Sequence, residues 1–190
     1  CRPEPGETII HDSWRIAVSE EASTYLVDVA KDLQDYLFTS MRVSVLLARV
    51  PDLEAAARER SHVIVLGTQA ELSQIGGSLS VPRSYRRRIG ADSIVICGAD
   101  ERGTGQGCYY MEDLMNLREA PFLAAGDETR EPVFAPRMVH SGWGIDQFPD
   151  PHLNAIAHAG MDAVLVFVKR VDRTTMGYLD INDLIARAAR

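Results

Sequence analysis

The chain has 190 residues, 46% hydrophobic and 25% charged, an ordinary balance for a globular protein with room for one well-cored domain or a domain and part of another. A formal net charge of −7 and a pI near 5.2 argue against nucleic-acid binding, which leaves a basic footprint. No apolar run approaches the roughly 18 residues of a membrane span, and three cysteines, an odd number, make no self-contained disulfide framework.

The first residue is a cysteine. The start CRPEPGE looks like a bacterial lipoprotein after removal of its signal, with Cys1 bearing the lipid and a proline-containing tether behind it. A cysteine that merely stands first is the plain alternative. On the lipoprotein reading the protein works outside the cytoplasm, tethered to a membrane through Cys1. Residues 1–12 read as a tail.

Residues 13–19 (SWRIAVS) alternate as a strand does. The stretch that follows carries Ala22, Tyr25, Leu26, Val29, Ala30, Leu33, Tyr36 and Leu37 at three- and four-residue intervals, the stripe of an amphipathic helix. Ser19 is the expected N-cap, with Glu20 and Glu21 in the first turn. RVSVLLA (42–48) reads as a strand, DLEAAARER as a short helix, and HVIVLG (62–67) as a strand buried on both faces. QAELSQIG reads as a short helix ended by Gly76 and Gly77.

The basic cluster RSYRRR (83–88) is expected at a solvated strand edge, and with SIVICG it makes two strands around a turn at Gly90. Cys97 and Cys108 read as small buried hydrophobes, with a bridge between them open if the protein is exported. The loop GADERGTGQG (98–107) leads into a helix CYYMEDLMNLR. It is a poor nucleotide loop: the glycines give G-x-G-x-G, and no Lys-Ser/Thr follows. Close packing at a strand-to-helix turn is the better reading. Strands linked by helices predict an α/β layered domain with a mixed sheet over residues 13–120. Residues 121–136 hold three prolines and little periodicity, and read as a linker.

From residue 137 the pattern is strand, aromatic- and glycine-rich loop, helix, and the apolar strand AVLVFV, followed by a helix with Leu184, Ile185 and Ala188. This is the start of an α/β barrel of the TIM type, incomplete at 190, since a (β/α)8 barrel takes about 250 residues. Arg137 begins the first strand, and Trp143, Asp146 and Phe148 follow it. An aromatic face packs on the C–H face of a pyranose and a carboxylate accepts from its hydroxyls, so Trp143 and Asp146 are candidate glycan contacts; rim cover is the rival reading for Trp143 and Phe148. No metal-ligand spacing appears: His152 and His158 point to different helix faces. No cofactor is expected.

Taken in order, the chain resembles the N-terminal accessory domain that precedes the catalytic barrel of β-N-acetylhexosaminidases and α-glucuronidases. The most specific stretch is Ile96, Gly98, Asp100, Gly103, Gly107, Tyr109 and Leu114, followed by the barrel strand in PRMVHSG. The resemblance implies an α/β accessory domain at 13–120 and the first two β/α units of an incomplete barrel at 137–190, with the catalytic carboxylates beyond Arg190. It implies that Arg137 grips hydroxyls of the terminal sugar. MVHSGWGID departs from the usual Arg-Gly followed by aspartate, so the sugar stays open. Two functions follow: part of a glycoside hydrolase, inactive alone, or a non-catalytic carbohydrate-binding or scaffolding module.

Overall fold

The computed structural model describes residues 2–59, 61–140, 148–166, 168–170, 173–174 and 181–189, and the chain forms two units, Cys1–Pro132 and Val133–Arg190. Cys1 itself lies outside the described residues.

The first unit contains β1 (Glu7–Ile9), β2 (Arg15–Ser19), α1 (Thr24–Met41), β3 (Leu46–Val50), α2 (Leu53–Arg58), β4 (Val63–Thr68), β5 (Tyr85–Ile89), β6 (Ser93–Gly98), α3 (Glu101–Arg118), β7 (Phe122–Ala124) and β8 (Gly126–Arg130). Six strands form one mixed sheet in the order β3-β2-β4-β6-β5-β8. The first four are parallel, and β5 and β8 join them antiparallel to their neighbours. Successive side chains of a strand point to opposite faces, and the sequence uses both. Ile16, Val18, Ile64, Leu66, Ile94 and Ile96 pack on one side with Val29, Ala30 and Leu33 of α1 and Met111 and Met115 of α3. Ala17, Val63, Val65, Val95 and Cys97 pack on the other with Leu53, Ala56 and Ala57 of α2 and with Leu72. The unit is a three-layer α/β domain, as its alternating elements imply.

Several elements differ from their sequence expectation, each for a local reason. Ser23, not Ser19, caps α1, its Oγ accepting from the Leu26 N–H at 3.3 Å. Ser19 is the last residue of β2. Arg42 ends α1 in the left-handed region and the next N–H, that of Val43, donates to the Leu37 carbonyl at 2.9 Å, so the strand expected from 42 begins at Leu46. Residues 69–76 are turns, not a helix. The Gln69 side chain spans that stretch, accepting from the Leu79 N–H at 3.1 Å and donating to the Leu79 carbonyl at 3.0 Å. Cys97 and Cys108 are free buried thiols.

The tail and the linker expected at 1–12 and 121–136 are corrected most. Glu7–Ile9 and Phe122–Ala124 pair as an antiparallel ladder, with Ile10 buried behind it. Gly126–Arg130 is the sixth strand of the sheet. It covers β5, so the arginines lie on an inner strand and not on a solvated edge. Arg86 forks onto Asp127 at 2.7 and 2.8 Å, and Arg87, 7% exposed, pairs with Glu128. Acidic residues of β8 neutralise the basic ones of β5: Glu128 faces Arg87 directly across the ladder, and Asp127, opposite Arg88, reaches Arg86 diagonally.

The second unit contains β9 (Met138–His140), α4 (Asp150–His158), β10 (Ala163–Leu165), β11 (Val168–Arg170), β12 (Arg173–Thr174) and α5 (Ile181–Ala188). The strands β9 and β10 are parallel, with Met138, Val139 and His140 opposite Ala163, Val164 and Leu165, and α4 lies between them in sequence. This is a β-α-β unit. The apolar run AVLVFV does not stay one strand: β10 ends at Leu165, and β11 turns back on β12 as an antiparallel pair. In α5, Leu184 is buried and Ile185 is 60% exposed.

Candidate functional site

The glycine-rich stretch is helical from Glu101 onward, so Gly103, Gly105 and Gly107 lie inside α3 rather than in a loop before it. A β-carbon at Gly103 would stand 2.3 Å from the Ser84 carbonyl oxygen, at Gly105 2.3 Å from the Tyr25 hydroxyl, and at Gly107 2.5 Å from the Ile96 side chain. Three bare positions let the helix lie close against the sheet and against α1. The helix N-terminus, where a phosphate would bind, already carries an anion of its own. Asp100 accepts from the Gly103 N–H at 2.8 Å and from the Arg83 N–H at 2.9 Å. A second anion would meet that carboxylate, so this is a packing device.

The buried chemistry of the first unit is likewise quiet. Burial pushes the Cys97 thiol up to about 11 and the Cys108 thiol well above its ordinary range, so neither is a nucleophile at neutral pH. Burial raises Tyr25 too, the Arg102 guanidinium 4.1 Å over its ring opposing the shift.

That leaves the β9–α4–β10 unit. In a β/α layout the groups that meet substrate follow the C-terminal ends of the strands. Trp143 and Asp146 fall in the segment that follows the C-terminal end of β9, and both lie outside the described residues. Phe148, at the end of that segment, is 1% exposed. Its ring stacks on His152 with centres 5.4 Å apart, and its carbonyl accepts from Arg187 Nη1 at 2.8 Å. Phe148 is core, not a sugar platform.

Arg137 stands just before β9, at the N-terminal end of the strand. Asp162, which stands just before β10, holds it. The Arg137 backbone N–H donates to Asp162 Oδ1 at 3.0 Å, and its Nε to Oδ2 at 3.2 Å. In return the Asp162 N–H donates to the Arg137 carbonyl at 2.9 Å. The pair is largely buried, and Arg137 Nη2 has no hydrogen-bond acceptor among the described residues. Asp162 is the residue that sequence reasoning missed. Its only signal is an aspartate placed immediately before an apolar run.

No family model and no curated protein matches the chain. Solved structures do. A family GH115 4-O-methyl-α-glucuronidase, BtGH115A, with specificity for decorated arabinogalactans, aligns at TM-score 0.61 and 12% identity over 84% of this chain and 26% of its own. The GH20 β-N-acetylhexosaminidase from Streptomyces coelicolor A3(2) aligns at 0.61 and 16% identity over 86% and 32%, and CpGH84B at 0.60 and 19% over 90% and 28%. The fold is one that glycoside hydrolases share. The chain spans a third or less of the length of these structures. At such identities it is the fold that is common, and the stretch that carried the sequence resemblance serves that fold. Ile96 and Gly107 pack together, and Asp100 and Gly103 cap and seat α3.

Proposed function

We propose that this chain is part of a glycoside hydrolase acting on glycans, that it contributes an accessory α/β domain and the opening β/α units of a (β/α)8 barrel, and that it is inactive by itself. The observation that carries the reading is the extent of the fold match. Two units together cover 84–90% of this chain but only 26–32% of enzymes from several glycoside-hydrolase families. The parallel β9–β10 pair supports the barrel part, because parallel sheets bury both faces under neighbouring elements. Met138 is 51% exposed and Leu165 43%, apolar surface that a free-standing binding module would not keep on a sheet. The scaffolding alternative is therefore the weaker one.

Within this reading the glycan contacts are Trp143 and Asp146, after the C-terminal end of β9. The sugar-gripping role that the resemblance implied for Arg137 passes to a structural one, supported by its place at the N-terminal end of β9 and by its Asp162 partner. The barrel strands that would carry a general acid and the group assisting attack are not among those in this chain. The test is a direct assay of the purified 190-residue chain against aryl N-acetylglucosaminides and glucuronides. No turnover is expected. Turnover that co-purifies with the chain through successive columns overturns the proposal.

A further inference from the structure

The two ends of the main sheet are finished differently. β8 closes one end with a polar strand that carries Asp127, Glu128 and Arg130, and charge of that kind discourages further strands from adding on. β3 closes the other end with Leu46, Leu47, Ala48, Arg49 and Val50. Its one charge is turned back, Arg49 Nη1 donating to the Glu20 carbonyl at 3.0 Å. The Val50 carbonyl accepts from the Glu20 N–H at 2.9 Å, so the backbone groups of Val50 face β2, and by alternation those of Ala48 and Leu46 do too. The N–H and C=O groups of Leu47 and Arg49 therefore point outward, along an edge where no described strand stands. One residue earlier in that outward series, the Val45 carbonyl is taken by Gln34 Nε2 of α1 at 2.8 Å. Side chains alternate as well. Leu47 packs with the core on the α1 side and Val50 with the core on the α2 side, so Leu46, 74% exposed, stands on the α2 face. Phe38, 61% exposed, lies one turn beyond Gln34 on the flank of α1 that overlooks β3.

We propose that a second copy of the chain pairs along this edge, β3 against β3 in antiparallel sense about a two-fold axis at Ala48, so that the two sheets run on as one. The backbone sets the register. Leu47 of each copy lies opposite the partner's Arg49, and the outward-turned groups exchange N–H···O=C bonds. Ala48 meets the partner's Ala48 at the axis, in the closer, non-bonded type of pair that suits a small side chain. Leu46 covers the partner's Val50 on the α2 face and loses its exposure. A slip of one residue would set outward groups against inward ones and forfeit the bonds. Charge favours the antiparallel sense. It brings Arg42, exposed ahead of β3, toward the partner's Glu20 and the partner's Asp52, exposed beyond the far end of the strand, whereas parallel pairing would set like ends together. Asp12, the acid at the Arg42 end, is engaged by the Ser44 N–H at 2.9 Å. The pairing stands independently of the glycan reading, and its test needs no turnover.

The test is sedimentation of the purified 190-residue chain from about 1 µM to about 1 mM, the range in which small interfaces dissociate. A reversible monomer–dimer equilibrium is expected. Leu46→Lys puts a charge on the pairing face, and Leu47→Pro removes an outward N–H and no bond to β2. Each should weaken the dimer by more than about tenfold. Circular dichroism checks that both variants keep the fold. Should Leu47→Pro lose it, amide exchange in the unsubstituted chain takes its place: the N–H groups of Leu47 and Arg49 should exchange more slowly as concentration rises, while those of β8 do not change. A monomer at every concentration, a dimer unmoved by Leu46→Lys, or protection of Leu47 and Arg49 that ignores concentration overturns the proposal.

Discussion

At the scale of single residues, the glycines of α3 are the sharpest test of the packing argument. Glycine inside a helix costs about 1 kcal/mol relative to alanine, so alanine should stabilise wherever space allows. At Gly103 the obstacle is the Ser84 carbonyl, main chain that cannot swing aside. Gly103→Ala should therefore lower stability by about 1–3 kcal/mol despite the better helix former. Gly126, with nothing within 4 Å of its would-be β-carbon, should accept alanine at no cost. Denaturant unfolding of the two variants separates them, and equal effects would refute the close-packing account. Cys97 makes a second test, through pH. Its thiol titrates at about 11 when folded against an ordinary 9.0. Below 9 both states hold the proton; between 9 and 11 only the folded state does, so stability declines across that window by up to about 1.4 kcal/mol per pH unit. The decline should be shallower in Cys97→Ala, measured as a change in slope and not in absolute stability.

At the scale of elements, the Arg137–Asp162 pair locks the entry of β9 to that of β10. Arg137→Ala and Asp162→Ala should show a coupling of about 0.5–3 kcal/mol in a double-mutant cycle on chemical unfolding. Additive effects would mean that the pair holds nothing and would return Arg137 to the list of candidate sugar contacts. How far the elements were legible in sequence follows from where their information lies. β2, β4, β6 and the stripe of α1 announce themselves through local periodicity, because both faces of the sheet are buried and one face of the helix is. β1, β7 and β8 do not. Each is short, and GDETR is polar throughout; only pairing with a distant strand makes it a strand at all. The start of α3 was hidden by its glycines, which a helix avoids unless, as here, a neighbour occupies the space of the side chain. Asp162 was illegible for a similar reason: its partner is 25 residues away.

At the scale of the whole molecule, the first unit carries its own two-sided core and should fold without the second. A chain ended at residue 132 is expected to unfold in one cooperative transition. A chain ended at residue 120, where composition alone would place the boundary, loses β7 and β8. It leaves β1 unpaired and the arginines of β5 without their acidic partners. That shorter chain should aggregate or melt well below the longer one in circular dichroism; equal melting would show that β7 and β8 are dispensable.

The pairing of β1 with β7 and of β5 with β8 also bears on how the protein is made. Glu7 faces Ala124 across the first ladder, and Arg86 meets Asp127 across the second. β1 emerges from the ribosome long before β7, and 41 residues separate Arg86 from Asp127, so a nascent chain carries an open, cationic sheet edge while those residues are made. Contacts so far apart in sequence also form slowly once the chain is free. The growing protein is thus exposed to off-pathway strand pairing until residue 130 is out, and the charge on Arg86, Arg87 and Arg88 holds like edges apart in the interval.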